Sequence, residues 1–262
     1  MFDFPRIWLI GGTRESVRLA EAMVRMHVRC TVSVTTESAR SLYGKIPQLR
    51  VWVGLLDEET LEQFLPAENI AAIVDASHPY AVAISELAIS TARSQTIPYL
   101  RYERPEISPQ NTEYTLRLPN FDTLLSGNYL TGQRVLLTVG YRPLAAFKPW
   151  QMRSTLFARI LPSPTALEAA LKAGFTNDRL IALRPPISVD LERSLWRQWQ
   201  ISMVVTKASG SAGGEDAKQA VAAELGTKLV IIDRPKLDYP RQTSEIDEVV
   251  AFCRQIEGAI EK

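Results

Sequence analysis

The chain has 262 residues, 46% of them hydrophobic, with 30 lysines and arginines against 29 acidic residues and a formal net charge of +1. That length suits one large or two small domains with a sizeable core, and the near-zero charge excludes a general polyanion binder. Affinity for an acidic ligand must therefore come from local placement of arginines. The two cysteines, Cys30 and Cys253, lack partners at metal-ligand spacing and read as small core residues in a reducing compartment. No metal site is expected. The N-terminus lacks a signal-peptide pattern and no apolar run approaches about 18 residues, so the expectation is a soluble cytoplasmic protein that spans no membrane.

The first stretch with a mechanism is Arg6–Glu15, R-I-W-L-I-G-G-T-R-E. Ile7 to Ile10 predict a buried strand, Gly11-Gly12 a tight turn and Thr13 the N-cap of a helix with apolar residues at helical spacing. Glycines admit a close ligand and the first-turn N–H groups suit a phosphate, although the third glycine of G-x-G-x-x-G is missing. Val28–Thr36 is a second, β-branched strand. It ends in Thr35-Thr36, with Arg40 close behind, where a nucleotide site usually carries an acidic residue. Hydroxyls and an arginine suit the 2′-phosphate of NADPH, and Thr36 and Arg40 are its candidate ligands. A solvated surface charge at Arg40 is the competing reading.

Leu49–Val53 predicts a third strand, and Asp57–Phe64 a helix capped by Asp57 and closed by Pro66. Ile70–Asp75 is an apolar strand of the kind buried in a parallel sheet, running into Ala76-Ser77-His78-Pro79-Tyr80-Ala81 and a helix to Arg93. Ile97–Arg101 follows, then a polar linker over 106–111. The alternation resumes with strands at Tyr114–Leu118, Arg134–Val139, Thr155–Leu161, Arg179–Leu183, Ile201–Thr206 and Lys228–Ile232. The intervening helices are Phe121–Leu125, Pro164–Ala173, Val189–Trp199 and Glu215–Leu225, with a last helix from Glu245 to about Ile256. Strands alternating with helices predict an α/β fold of two Rossmann-like domains, 1–108 and 109–262, each a mainly parallel sheet flanked by helices. Ligands in such sheets bind outside the strand C-termini, so a cleft between the halves is the expected site.

Ser209–Gly214, S-G-S-A-G-G, is a second glycine-rich turn before a helix, with Lys207 just ahead of it as a cation for a phosphate or carboxylate. His78, flanked by Ser77 and Tyr80 after a buried strand, is a candidate for donating to a ligand or moving a proton, and a structural hydrogen bonder is its other reading. Asp75 is read as holding the turn or capping the helix. Arg101, Arg104, Arg142, Arg184 and Arg234 all follow strands, a rim suited to a ligand with several carboxylates or, alternatively, to structural ion pairs. No nucleophile with a base beside it can be read from spacing, whereas reduction by a bound nicotinamide needs few protein groups.

W-L-I-G-G-T-R-E-S, D-A-S-H-P-Y-A, P-Y-L-R-Y-E-R-P and V-V-T-K-A-S-G-S-A-G-G, in this order, resemble the precorrin-6A reductase family of cobalamin (corrin) biosynthesis from Ile7 to Pro235. The resemblance implies a two-domain reductase that uses NADPH, or NADH, to reduce one double bond of precorrin-6A, or of its cobalt complex, to precorrin-6B. Gly11, Gly12 and Thr13 would then contact the cofactor, while Ser77, His78, Pro79 and Tyr80 line the cleft, with His78 and Tyr80 as catalytic candidates. Arg101, Arg104, Arg142, Lys207, Ser209, Gly210, Gly213 and Gly214 would meet the carboxylated tetrapyrrole, and no nucleic-acid partner is implied. The chain departs from the family pattern at Arg184-Pro185-Pro186-Ile187-Ser188, at Val139-Gly140-Tyr141-Arg142-Pro143 and in the split pair Glu215-Asp216-Ala217-Lys218. A non-catalytic NADP-binding sensor of a tetrapyrrole or other polycarboxylate is the alternative from another class, and a nucleotide-sugar transferase a third.

Overall fold

A computed structural model of the chain describes residues 4–47, 49–105 and 113–260. The linker expected over 106–111 and the boundary expected at 108/109 lie outside the described residues. In chain order the structure has β1 (Arg6–Ile10), α1 (Arg14–Arg25), β2 (Cys30–Val34), α2 (Glu37–Arg40), β3 (Arg50–Val53), α3 (Glu58–Ala67), β4 (Ile70–Asp75), α4 (Val82–Ser94) and β5 (Tyr99–Tyr102). Next come β6 (Thr115–Leu118), α5 (Phe121–Ser126), β7 (Arg134–Thr138), a 3-10 stretch over Arg142–Met152, β8 (Thr155–Ile160), α6 (Pro164–Lys172) and β9 (Leu180–Ala182). The chain finishes with α7 (Val189–Gln198), β10 (Met203–Lys207), α8 (Glu215–Leu225), β11 (Lys228–Ile232), β12 (Gln242–Thr243) and α9 (Ile246–Ile260).

The strands form two six-stranded sheets, ordered β12-β5-β4-β1-β2-β3 and β6-β11-β10-β7-β8-β9, with every neighbouring pair parallel. Parallel sheets need both faces covered, and the strand sequences meet that need. Along β1, Ile7 and Leu9 enter one core with Leu19 and Met23 of α1, while Trp8 and Ile10 enter another with Phe64 of α3 and Ala88 of α4. Each sheet reverses its winding once, between β1 and β4 in the first and between β7 and β10 in the second. These reversals are where an open α/β sheet leaves a crevice at its strand C-termini.

The segment up to Pro105 and the segment from Lys236 form one compact unit, and the chain between them, to Pro235, forms another. This corrects the expectation that 109–262 is a single domain. Val249, Phe252 and Cys253 of α9 fill the same core as Ile7 and Leu9, and β12 pairs with β5 through Arg101 N–H to the Arg241 carbonyl (2.9 Å) and Glu103 N–H to the Thr243 carbonyl (2.8 Å). Without β12, β5 would be an open sheet edge. Pro66 does not close α3 as expected. It sits in the last turn, where the following bond, from Glu68 N–H to the Phe64 carbonyl at 3.0 Å, still forms. Among the described residues, no helix is long and apolar enough to cross a membrane.

Candidate active site

In the first unit, β1 and β4 run in register, Leu9 opposite Val74 and Ile10 opposite Asp75, so their continuations leave the sheet at one level. Glycine is required at the β1 turn. A Cβ on Gly11 would stand 2.5 Å from Tyr43 Oη and 2.6 Å from Val32 Cγ1, and Gly12 holds φ +98°. A Cβ on Gly12 would meet nothing within 4 Å, so the outer side of the turn is open to a ligand. Thr13 caps α1 as expected and ties the two turns together, its Oγ1 donating to the Ala76 carbonyl at 3.0 Å.

The expected row of N–H groups facing a ligand is shorter than the sequence suggested. Gly12 N–H donates to Tyr43 Oη (2.8 Å) and Thr13 N–H to Ser16 Oγ (3.0 Å), while Ser16 N–H donates to Thr13 Oγ1 (3.0 Å). Tyr43, which no motif pointed to, is buried beneath the turn with its hydroxyl 2.6 Å from Ser16 Oγ. Burial pushes its pKa above the ordinary phenol value.

The β4 turn is held by a buried charge network centred on Asp75, whose role is the turn-holding one. Asp75 Oδ1 accepts from Ser77 N–H (2.9 Å) and Arg101 Nη1 (2.8 Å), and Oδ2 accepts from Ser85 Oγ (2.6 Å) and Tyr99 Oη (2.8 Å). Arg101 cannot serve as the rim cation expected for a ligand carboxylate. Its side chain is 1% exposed, and its guanidinium also donates to Ser77 Oγ (3.0 Å), the Ser77 carbonyl (3.1 Å) and Glu103 Oε2 (2.9 and 2.7 Å). Burial works to lower the Arg101 pKa, yet the Asp75 and Glu103 carboxylates raise it above its ordinary value. The Ser77 side chain is likewise turned inward.

This rigid base leaves His78 exposed. Its Nδ1 accepts the Tyr80 N–H at 3.2 Å, which places the proton of the neutral imidazole on Nε2, and the His78 and Tyr80 rings lie 5.8 Å apart. Arg104 pairs with Glu15 at 3.1 Å, both side chains largely covered. A cavity of about 10 Å³, room for about one water, opens between Thr13, Ser77, Pro79 and Arg104. At the end of β2, Thr36 caps α2 through Oγ1 (3.2 Å to Ala39 N–H), and Arg40 is exposed with Glu37 at 3.6 Å.

The second unit repeats the plan. β7 and β10 run in register to Thr138 opposite Thr206, and β7 continues into Gly140 at φ +77°, again with nothing within 4 Å of a built Cβ. Here the lining is cationic. Arg142 opens the 3-10 stretch and is exposed, and Lys207 ends β10 with Nζ 6.0 Å from the Phe121 ring centroid. Burial, and then the positive charge of Arg142, push the Lys207 pKa down to about 8. Of the two remaining rim arginines, Arg234 Nε braces the Ala208 carbonyl at 2.9 Å and Arg184 is exposed.

The Ser209–Gly214 loop is tied down from within and is not an open cradle of N–H groups. Gly210 N–H donates to Glu215 Oε2 (2.9 Å), Gly213 N–H to the Gly210 carbonyl (3.0 Å) and Gly214 N–H to the Ser211 carbonyl (2.9 Å). Lys218 Nζ donates to the Gly213 and Gly214 carbonyls, both at 2.9 Å. A Cβ on Gly213 would stand 1.8 Å from Ser209 Oγ, so glycine is obligatory there.

Two glycine turns, each at the winding reversal of its own parallel sheet, one edged by His78 and Tyr80 and the other by Arg142 and Lys207, define a double Rossmann-like α/β protein. The chain belongs to the family described as Precorrin-6x reductase CbiJ/CobK, which matches residues 6–254. It is 46% identical over 252 residues to the cobalt-precorrin-6A reductase of Synechocystis sp., covering 95% of this chain and 96% of that one. It is also 32% identical over 253 residues to the precorrin-6A reductase of Rhodococcus erythropolis, covering 93% and 94%. The solved structure of CobK precorrin-6A reductase shares the fold with a TM-score of 0.80 over 97% of each chain at 23% identity.

Proposed function

We propose that this chain reduces one double bond of the cobalt-precorrin-6A macrocycle to the 6B level in the cytoplasm, with a nicotinamide dinucleotide as reductant. The observation that carries the reading is that the family match over residues 6–254 includes both strand-end turns, Gly11–Thr13 with Ser77–Tyr80 and Lys207–Gly214. The open, left-handed Gly12 is where a pyrophosphate can approach the backbone, which fits the cofactor to the first unit. Thr36 and Arg40 favour NADPH over NADH, because a hydroxyl and a guanidinium suit a 2′-phosphate. Bound there, the cofactor supplies a hydride.

The remaining roles fall to the chain itself. Gly11, Gly12 and Thr13 orient the cofactor, and the Asp75–Arg101–Ser77 network holds the His78 turn still. His78, or Tyr80 beside it, delivers the proton that accompanies reduction. Arg142 and Lys207 hold peripheral carboxylates of the substrate, supported by Ser209, Gly210, Gly213 and Gly214, with Arg104, braced by Glu15, as a further substrate contact. Substrate-dependent oxidation of NADPH, followed at its nicotinamide absorbance, tests the reading, and tight NADPH binding without turnover would favour a sensor instead. The 32% identity to a precorrin-6A reductase favours metal-free precorrin-6A as the second substrate to assay.

A further inference from the structure

Beneath the Ser209–Gly214 loop lies a group of buried charges. Lys218 sits one turn into α8 with its side chain 3% exposed. Helical side chains lean toward the N-terminus, so its ammonium reaches back under the loop to the Gly213 and Gly214 carbonyls. Glu192 of α7, 1% exposed, stands 3.9 Å from it and is itself paired with Arg159 of β8 at 2.8 Å and bonded by Trp196 Nε1 at 3.1 Å. On the same turn of α8, Glu215 takes the Gly210 N–H. One helical turn thus grips the loop twice, an anion on the N–H at its start and a cation on the carbonyls at its end.

A buried lysine at a helix N-terminus is a poor choice for stability. Burial, the neighbouring Arg159 and the helix dipole all oppose its charge, and an apolar side chain of similar volume is often neutral or stabilising at such a place. Burial and Arg159 push its pKa down to about 8. What the ammonium achieves is geometric. With the Gly213 carbonyl pinned, the Gly213 backbone lies against Ser209, closer than any Cβ would allow.

We propose that Lys218 is a positioning residue that fixes the Ser209–Gly214 loop as the closed, rigid support from which Lys207, two residues ahead of it, meets a carboxylate of the substrate. This rests on the reductase reading for the identity of the ligand, but the state of the loop can be measured without it. In Lys218→Met the macrocycle KM rises about ten-fold, the effect of losing one charge-assisted hydrogen bond's worth of order. Meanwhile kcat and the NADPH Kd stay at their wild-type values. In the ligand-free full-length variant, amide exchange over 207–218 accelerates while exchange over the first unit is unchanged.

Unchanged KM and unchanged exchange would overturn the proposal, as would a loss in which KM, kcat and the NADPH Kd all worsen together. If Lys218→Met does not fold, Gly213→Ala disturbs the same loop from the Ser209 side while keeping Lys218 and Glu192 in place. A folded Gly213→Ala with wild-type KM would refute the role of the loop. If wild-type protein fails to oxidise NADPH with the macrocycle, the functional reading fails, and the exchange measurement alone decides the proposal.

Discussion

Replacing Arg101 with Met leaves the Asp75 carboxylate buried with its Ser77, Ser85 and Tyr99 donors but without its counter-ion. Breaking one partner out of a buried ion pair costs about 3–5 kcal/mol, because the remaining charge is uncompensated. The structure puts this site at the upper part of that range. Asp75 is 0% exposed, Arg101 is 1% exposed, and the same guanidinium also serves Ser77 and Glu103. Against a total stability of about 5–15 kcal/mol the loss is large. Urea unfolding read by alkylation of Cys30 and Cys253 isolates the first unit, since both thiols lie in its core and burial pushes both pKa values up, that of Cys30 to about 12.

Adding Asp75→Asn to Arg101→Met should recover part of the loss, a coupling that a double-mutant cycle measures. A single-variant cost under about 1 kcal/mol, or no recovery in the double variant, would refute the assignment of Arg101 as the counter-ion that holds the turn.

Gly12→Asp should abolish NADPH binding in a calorimetric titration while the fold survives, because a carboxylate then occupies the open side of a φ +98° turn. If the variant binds like wild type, the cofactor lies elsewhere. With the Lys207 pKa near 8, the macrocycle KM should rise as pH climbs through about 8 and the ammonium is lost, and Lys207→Met should be high and flat over the same range. A limb that persists in the variant would assign the titration to another group. Ending the chain at Pro235 should unfold the first unit, exposing Cys30 to alkylation in the absence of urea, while protection in the second unit remains. A truncated chain that keeps Cys30 protected would contradict the shared core with α9.

Much of the α/β order was legible because it depends on local patterns. The apolar run Ile70–Asp75, the β-branched Thr31-Val32-Ser33-Val34 and the caps Thr13 and Asp57 carry their structure within a few residues. The return of α9 was not legible, since nothing in its helical spacing says which of two sheets it covers. At the site, Gly11, Gly12 and the His78 turn were visible as motifs, whereas the role of Arg101 was misread. A strand-end arginine looks the same in sequence whether it faces solvent or the end of a neighbouring strand, and Asp75 and Arg101 meet only through the β4–β5 register. Tyr43 and the Glu192–Lys218 pair were missed for the same reason. Their partners lie far along the chain, and no local spacing encodes them.

The most direct test mixes the purified full-length protein with cobalt-precorrin-6A and NADPH under anaerobic conditions and follows nicotinamide absorbance together with the mass of the macrocycle. The expected result is one NADPH oxidised for each macrocycle that gains two hydrogens, with NADH slower. NADPH binding with no change in macrocycle mass, for the cobalt and the metal-free substrate alike, would contradict the assignment as a reductase of this ring.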